Sequence, residues 1–180
     1  MRIGLAVVIV WCAGLAQAQD QVGDRKLDLY AQFSGFKTDN LTRTAAHNTE
    51  LAKGFDLGTA WYPQRKLALV GDIGYHSISD SSSKFSVVTI MAGPRFLSGE
   101  QYRLSCYGQM LFGALAGNQN GTGPRETGWR PAGDLGGGIE VRVTKRLVLR
   151  PISVDLMLVG VPKNSVGAGR IGTGIVYRFR

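Results

Sequence analysis

The chain has 180 residues, 25 of them glycine, with 44% hydrophobic residues and a formal net charge of +8. The glycines follow no three-residue period and are not gathered into one linker, which excludes a collagen-like or disordered chain. The basic residues are scattered, without a basic stripe or a stacking platform, so the charge does not favour nucleic-acid binding.

The N-terminal segment has the three parts of a secretory signal peptide. A positive "MR" is followed by an apolar run of about fourteen residues and by "AQA" at residues 16–18, an A-x-A cleavage site. A buried N-terminal helix is the alternative, since the run is shorter than the about twenty residues that span a membrane. We therefore predict that residues 1–18 are cleaved and that residues 19–180 form one exported domain. Its single cysteine, Cys106, rules out an internal disulfide framework.

The rest of the chain has the periodicity of β-strands. Apolar residues alternate with polar or small residues, as expected for strands whose two faces meet different surroundings. In the first segment, Leu27 and Leu29 fall on one face, and Asp28 and Gln32 fall on the other. In chain order the eight predicted strands are Lys26–Phe36, Gly54–Tyr62, Lys66–His76, Phe85–Leu97, Tyr102–Ala116, Gly133–Val143, Leu147–Val159 and Arg170–Arg180.

The connections between these strands alternate between long and short. The long ones include "SISDSSSK", "GNQNGTGPRETGWRP" and "GVPKNSVGA", and the short ones include "PQR", "SGEQ" and "TKR". Outer-membrane barrels have long extracellular loops and short periplasmic turns. The sequence therefore predicts an all-β fold, an eight-stranded antiparallel up-and-down transmembrane β-barrel. A water-soluble ligand-binding barrel is the alternative, and the direction of the apolar face distinguishes the two.

A lumen filled by paired charges follows from this fold. Apolar faces contact lipid and polar faces point inward, where an eight-stranded barrel has room only for its own side chains. Arg150 and Asp155 lie five residues apart, so either a bulge near Pro151 restores their common direction or one of them lies at a rim. The residues expected to form the lumen charge network are Asp28, Asp56, Asp72, Arg95, Arg103, Asp134, Glu140, Arg142, Arg150, Arg170 and Arg178.

The chain resembles the small eight-stranded outer-membrane barrels of the OmpA-like/OmpX-like type, and in particular the outer membrane protein beta-barrel domain proteins. The resemblance rests on "MAGPRF" at Met91–Phe96, "YGQMLFGALAG" at Tyr107–Gly117, "GGGIEVRVTKRLVLRP" at Gly136–Pro151 and the closing strand. It implies a porin-like protein of the bacterial cell envelope, located in the outer membrane, with outer-membrane lipids as surroundings and the barrel-assembly machinery as a partner during biogenesis.

The resemblance also implies an assembly signal at the end of the chain. Gly174, Tyr177 and Phe179 match the glycine, apolar and aromatic positions of the family's C-terminal recognition pattern. The match departs from that pattern in two places. Gly172 stands where the pattern has a polar residue, and Arg180 follows the terminal aromatic residue.

Three classes of function fit such a barrel. The first is a structural or interaction scaffold that displays extracellular loops to an unidentified ligand, and the second is a narrow channel or transporter accessory. The third is a lipid A-modifying enzyme, for which His76 with Ser77 or Ser79 and Asp80 or Glu140 are the candidates. The spacing of these residues does not fit the His-x-Ser pattern of outer-membrane deacylases. We therefore expect a non-enzymatic scaffold without a metal or a cofactor.

Overall fold

The structure is a computed structural model, and it describes the parts of the chain that form the barrel wall. The described residues are 26–38, 52–80, 83–98, 103–120, 128–161 and 164–179.

The wall of the barrel consists of eight antiparallel strands. They are β1 (Leu27–Thr38), β2 (Ala52–Gln64), β3 (Leu67–Asp80), β4 (Ser83–Ser98), β5 (Leu104–Asn120), β6 (Trp129–Arg142), β7 (Leu147–Val161) and β8 (Asn164–Phe179). Each strand pairs with its neighbours in sequence order, and β1 pairs with β8 to close the barrel. The predicted up-and-down β-barrel is confirmed. In the described ranges, no helix has the length and apolarity needed to cross a membrane.

The strands are longer than the sequence pattern predicts, and this changes two of the connections. Asp80 of β3 pairs with Ser83 of β4, and Val161 of β7 pairs with Asn164 of β8. The expected long loops at these two places are therefore wrong, because "SISDSSSK" and "GVPKNSVGA" mainly continue the ladders. Extended pairing satisfies the backbone groups of these polar segments. The two remaining long connections, 39–51 and 121–127, lie outside the described residues.

A bulge in β7 resolves the position of its two charged residues. The register of β7 against β8 shifts between Arg150 and Ser153, around Pro151. The extra residue reverses the parity of the strand, as β-bulges do. Arg150 and Asp155 consequently both point into the barrel, with only 2% and 1% of their surfaces exposed. Of the two alternatives for this strand, the bulge is the correct one.

The barrel has an apolar outer surface and buries charged side chains in its interior, unlike a water-soluble protein. Large apolar side chains stand exposed around its outer surface, among them Phe33 at 59%, Ile73 at 56% and Leu158 at 62%. The largest fully buried side chains belong to Arg95 and Arg150. Such a surface belongs in hydrocarbon, where a closed sheet leaves no backbone group unpaired. The alternative of a water-soluble barrel is therefore wrong.

Glycines permit close approach between β4 and β5. A methyl group on Gly93 would overlap the carbonyl oxygen of Met110 and lie 2.9 Å from the Cα of Leu111. A methyl group on Gly113 would overlap the carbonyl oxygen of Ile90 in the same way. Because these obstacles are backbone atoms, they cannot move without disturbing the ladder. The absence of a side chain at Gly93 and Gly113 is thus a requirement of this strand pair.

A matched pair of alanine substitutions tests this packing. Gly93→Ala should lower the folded fraction of refolded protein, because the added methyl group separates β4 from β5. Gly71→Ala should fold as well as the parent, since its methyl group would meet only the Cγ2 of Thr59, at 3.8 Å. The measurement is the fraction that migrates as the compact band in SDS without boiling. Equal folded fractions for the two variants would contradict the packing described for Gly93.

Candidate functional site

The interior of the barrel is the candidate functional site, because buried charges gather there. Six carboxylates and four guanidinium groups are at most 5% exposed. They belong to Asp28, Asp56, Asp72, Asp134, Glu140 and Asp155, and to Arg95, Arg150, Arg170 and Arg178. Nine of these ten positions are among the eleven that the sequence assigns to the lumen. Asp155 is the addition.

One part of this network is centred on Arg170, and we call it the Arg170 cluster. Arg170 Nη1 is 2.9 Å from Asp56 Oδ1, its Nη2 is 2.9 Å from Asp134 Oδ2, and its Nε is 3.2 Å from Asp155 Oδ2. A fourth carboxylate, that of Asp72, lies 3.6 Å from Nη1. One guanidinium group therefore joins aspartates from β2, β3, β6 and β7 across the lumen. Removal of this single cation would leave four buried carboxylates without their common partner.

Two tyrosines and two arginines form the next layer. The guanidinium carbons of Arg95 and Arg150 lie 4.9 and 4.6 Å from the ring centre of Tyr30. The same two atoms lie 4.7 and 4.5 Å from the ring centre of Tyr107. These are cation–π distances, and burial strengthens such contacts. Arg95 also donates to Gln109 Oε1, with its Nη2 at 2.6 Å. The layer fills the lumen with stacked, charged side chains.

The network continues toward the end of the barrel where β1 begins and β8 ends. Arg150 Nη2 donates to Glu140 Oε1 at 3.0 Å. Arg178 lies 3.5 Å from Asp28 and 3.6 Å from Glu140, measured between the nearest nitrogen and oxygen atoms. Glu140 thus links two arginines, one on β7 and one on β8.

Buried apolar side chains occupy the inward faces of several strands beyond the charged residues. On β1, β5 and β7, the inward residues that follow the charged and polar layers are apolar, and they include Phe36, Leu115 and Val159. Val87 and Met157 complete this layer, and each of the five is at most 2% exposed. Apolar side chains that fill a lumen oppose the passage of water and ions.

Two residues assigned to the lumen by sequence lie at its rim. Arg103 is exposed in the turn before β5, and its assignment to the lumen is wrong because the strand begins only at Leu104. Arg142 is half-buried at the end of β6, where it pairs with the inward-pointing Val148. Its backbone N–H donates to the carbonyl oxygen of Arg103 at 2.7 Å.

Four side chains of the lumen network are not among the residues that the sequence assigns to the lumen. Asp155 required the bulge of β7, which a regular two-residue period cannot show. Tyr30, Tyr107 and Gln109 share the inward faces with charged residues, and this parity was the available signal. Their contacts with arginines could not be derived from parity, because it gives no information on which strands face each other across the lumen.

Of the candidates for lipid-modifying chemistry, His76 and Ser77 are described and do not form a catalytic arrangement. Ser77 is exposed on the outer face, whereas His76 points inward, where Ser34 Oγ lies 2.6 Å from its Nε2. Ser34 also donates to Asp56 Oδ2 at 2.6 Å, so the carboxylate holds the hydroxyl rather than the imidazole. A serine nucleophile needs a histidine that accepts its proton and an acid that orients that histidine. Here Ser34, Asp56 and His76 are each at most 1% exposed, which also excludes a substrate.

The remaining candidates for chemistry are Ser79, Asp80 and Glu140. The side chains of Ser79 and Asp80 lie outside those that the structure describes. Glu140 forms an ion pair with Arg150. Among the described residues, no group of three or more His, Cys, Asp or Glu side chains is arranged to hold a metal ion.

The closing strand places its aromatic residues on the outer surface. Tyr177 and Phe179 are each 41% exposed and their ring centres lie 4.8 Å apart, edge to face. Arg178 between them points inward. At Gly174, a methyl group would overlap the carbonyl oxygen of Ala31, so glycine permits the closure of β8 against β1. The role of Gly174, Tyr177 and Phe179 as an assembly signal stays a prediction.

The Arg170 cluster yields a test of the network. Arg170→Gln should lower the free energy of unfolding by about 3–5 kcal/mol, because it leaves buried carboxylates uncompensated. Arg103→Gln removes the same charge from an exposed turn, and its effect should stay within about 0.5 kcal/mol. Urea unfolding in lipid vesicles, followed by the compact SDS band, measures both. Equal losses of stability would show that Arg170 does not organise the lumen.

The closing strand yields a second test. Phe179→Arg should reduce the folded fraction in outer-membrane preparations, because it removes about 2–3 kcal/mol of apolar burial and puts a charge against lipid. Arg178→Gln should be milder, since it keeps a polar side chain inside and loses only ion pairs of 3.5 and 3.6 Å. The opposite order of the two effects would mean that the faces of β8 are assigned the wrong way round.

Comparison with known proteins identifies the fold. The sequence matches no protein-family model and no curated protein. Among solved structures, Neisserial surface protein A is similar over 85% of this chain and 97% of its own, at 15% identity and a TM-score of 0.66. The N-terminal β-barrel domain of OprF from Pseudomonas aeruginosa matches over 87% and 100%, at 13% identity and a TM-score of 0.60. Ail, the attachment invasion locus protein of Yersinia pestis, matches over 88% and 100%, at 18% identity and a TM-score of 0.57.

The likeness covers the whole barrel and matches its strand number, pairing and closure. The neighbours are outer-membrane proteins, and the exposed apolar belt of this chain is the surface that such a membrane requires. The chain therefore has the fold of the small eight-stranded outer-membrane β-barrels, and its apolar outer surface places that barrel in a bacterial outer membrane.

Proposed function

We propose that the protein is a non-enzymatic structural or interaction scaffold, a closed barrel that presents extracellular loops to a ligand outside the cell. The observation that carries this proposal is the filled lumen. Arg170 alone engages four aspartates, and Arg95 and Arg150 are stacked between two tyrosines. A barrel whose interior is occupied in this way functions through its surface rather than through a pore.

The topology gives the scaffold two long connections on the side opposite the chain termini. Residues 39–51 join β1 to β2, and residues 121–128 join β5 to β6, on opposite sides of the ring of strands. Their sequences, "DNLTRTAAHNTEL" and "GTGPRETG", are mostly polar and carry charges of both signs. Loops held by a rigid frame are where binding residues concentrate. A polar extracellular ligand is the class of partner that such loops suit.

Assembly and surroundings complete the proposal. The barrel would be inserted by the barrel-assembly machinery through its closing strand, with Phe179 as the terminal aromatic residue of the signal. Outer-membrane lipids would contact the apolar belt. Nucleic acid is not proposed as a partner, because the exposed cations lie at the rims beside this belt rather than on a stacking platform.

A narrow cation path is the second candidate, and the charge balance of the lumen favours it. The buried carboxylates outnumber the buried guanidinium groups by six to four. Within the described part of the chain, Thr89 Oγ1, His76 Nδ1 and Asp134 Oδ1 are buried without a hydrogen-bond partner. Buried polar atoms of this kind bind water where there is room for it. Cations would be the favoured ions in such a lumen.

Protease accessibility in intact cells tests the proposed scaffold. Trypsin added from outside should cleave at Arg43 or Arg125, the arginines of the two long connections. Arg65 and Lys145 are also exposed, but they lie in turns at the opposite end of the barrel and should stay uncut until the outer membrane is permeabilised. Mass spectrometry of the fragments identifies the cleaved bonds. Cleavage at Arg65 or Lys145 in intact cells would contradict the proposed orientation.

Conductance in planar bilayers separates the two candidates. The scaffold proposal predicts no stepwise current from the parent protein, because the Arg170 cluster and the apolar layer containing Phe36 and Leu115 block the lumen. Heat-denatured protein is the control for leakage caused by detergent. Reproducible cation-selective steps from the folded protein would replace the scaffold by the channel.

A further inference from the structure

The exposed charges among the described side chains all have the same sign. Each acidic side chain that the structure describes is buried in the lumen, whereas the exposed charged side chains are lysines and arginines. Six of these cations surround the end of the barrel where β1 begins and β8 ends. They are Lys26, Arg65, Lys66, Arg103, Lys145 and Arg146, which we call the periplasmic cation ring.

The ring lies at the depth of lipid headgroups. Trp61 and Phe179 both pair with Leu27, and their side chains point outward at the edge of the apolar belt. Aromatic side chains at this level mark the membrane interface. Lys26 directly precedes Leu27 in the chain, and Arg146 accepts a backbone hydrogen bond from Arg178, the neighbour of Phe179. The carbonyl oxygen of Lys26 accepts a hydrogen bond from the backbone N–H of Tyr62 at 3.0 Å, so its position is tied to the sheet.

One sector of the ring contains a recess. It has a volume of about 190 Å³ and is lined by Arg146, Tyr177, Arg178 and Phe179. The backbone N–H of Arg178 donates to the carbonyl oxygen of Arg146 at 2.8 Å, which fixes the β6–β7 turn against the end of β8. The guanidinium group of Arg178 is engaged inside the barrel with Asp28 and Glu140. The recess therefore combines one exposed cation with the paired rings of Tyr177 and Phe179.

We propose that this recess binds the headgroup of an anionic phospholipid of the periplasmic leaflet, with the phosphate on Arg146 and the glycerol and upper acyl chains against the aromatic pair. An arginine donates to a phosphate through two parallel N–H groups, and aromatic rings at the interface contact both headgroup and chain. A zwitterionic lipid would bring its own ammonium group toward Lys26, Lys145 and the other cations of the ring. A lipid with a net negative charge is therefore preferred. The inference depends on the membrane orientation and not on the scaffold role.

Native mass spectrometry of the folded barrel in detergent tests the site. Phosphatidylglycerol is titrated against the parent, Arg146→Gln and Arg65→Gln, the last of which removes the same charge from the opposite sector of the ring. Arg146→Gln should weaken the binding of the first lipid by about fivefold, the effect of about one cation at a membrane surface. Arg65→Gln should change it by less than about twofold, and Arg146→Lys should retain most of the binding because it keeps the charge.

Further arms of the titration identify the ligand. Phosphatidylethanolamine should bind more weakly than phosphatidylglycerol, and inorganic phosphate should not displace the bound lipid at equal concentration. Equal losses of lipid binding for Arg146→Gln and Arg65→Gln would mean that the ring as a whole attracts the lipid electrostatically. That result would overturn the proposed site. Displacement by inorganic phosphate would overturn the lipid as its occupant. The compact SDS band of each variant verifies that the barrel is folded.

Discussion

In hydrocarbon there is no water to bond a free peptide group, and each unpaired N–H or C=O costs several kcal/mol. The pairing of β1 with β8, from Leu27 opposite Phe179 to Thr38 opposite Ala168, removes the two free edges that an open sheet would have. Every other feature depends on this closure. It separates an outside, in contact with lipid, from an inside that lipid cannot enter, and it lets one strand carry Leu and Asp at adjacent positions.

The closed wall explains where the charges lie. Inside, carboxylates and guanidinium groups lose water and must satisfy one another, as they do around Arg170 and between Arg150 and Glu140. Arg95 lies instead between the rings of Tyr30 and Tyr107. Because the lumen holds more acids than bases, the positive net charge of the chain must lie on other residues. It lies partly in the exposed cations of the rims, where anionic lipid groups are within reach. The interior thus supports the wall, and the rims and loops remain for interactions.

Much of the fold follows from strand parity, because in a membrane both faces of a strand have strict requirements. All eight strands and the inward direction of residues such as Asp56 and Glu140 are evident in the sequence pattern. Parity fails at Asp155, where a bulge inserts one residue, and at Arg103, which lies before the first paired residue of β5. It also underestimates the β3–β4 and β7–β8 ladders, since polar segments above the membrane need no alternation to pair.

The cation–π layer and the Arg170 cluster could not be derived in this way. They depend on which strands face each other across the lumen and on how long side chains reach between them. Tyr30 and Tyr107 come from β1 and β5, on opposite sides of the barrel. A sequence pattern does not show contacts across the lumen.

The position of the barrel in the membrane depends on contact between its apolar face and lipid. Trp61 and Trp129, the tryptophans of residues 19–180, are 55% and 58% exposed on that face, at opposite ends of the barrel. The decisive measurement is tryptophan fluorescence of the refolded protein in vesicles made with lipids brominated near the headgroup, using Trp129→Phe and Trp61→Phe to isolate each signal. Both tryptophans should be quenched by the brominated lipid and protected from aqueous iodide. Quenching of both by iodide, with no effect of bromine, would contradict the outward orientation of the apolar face.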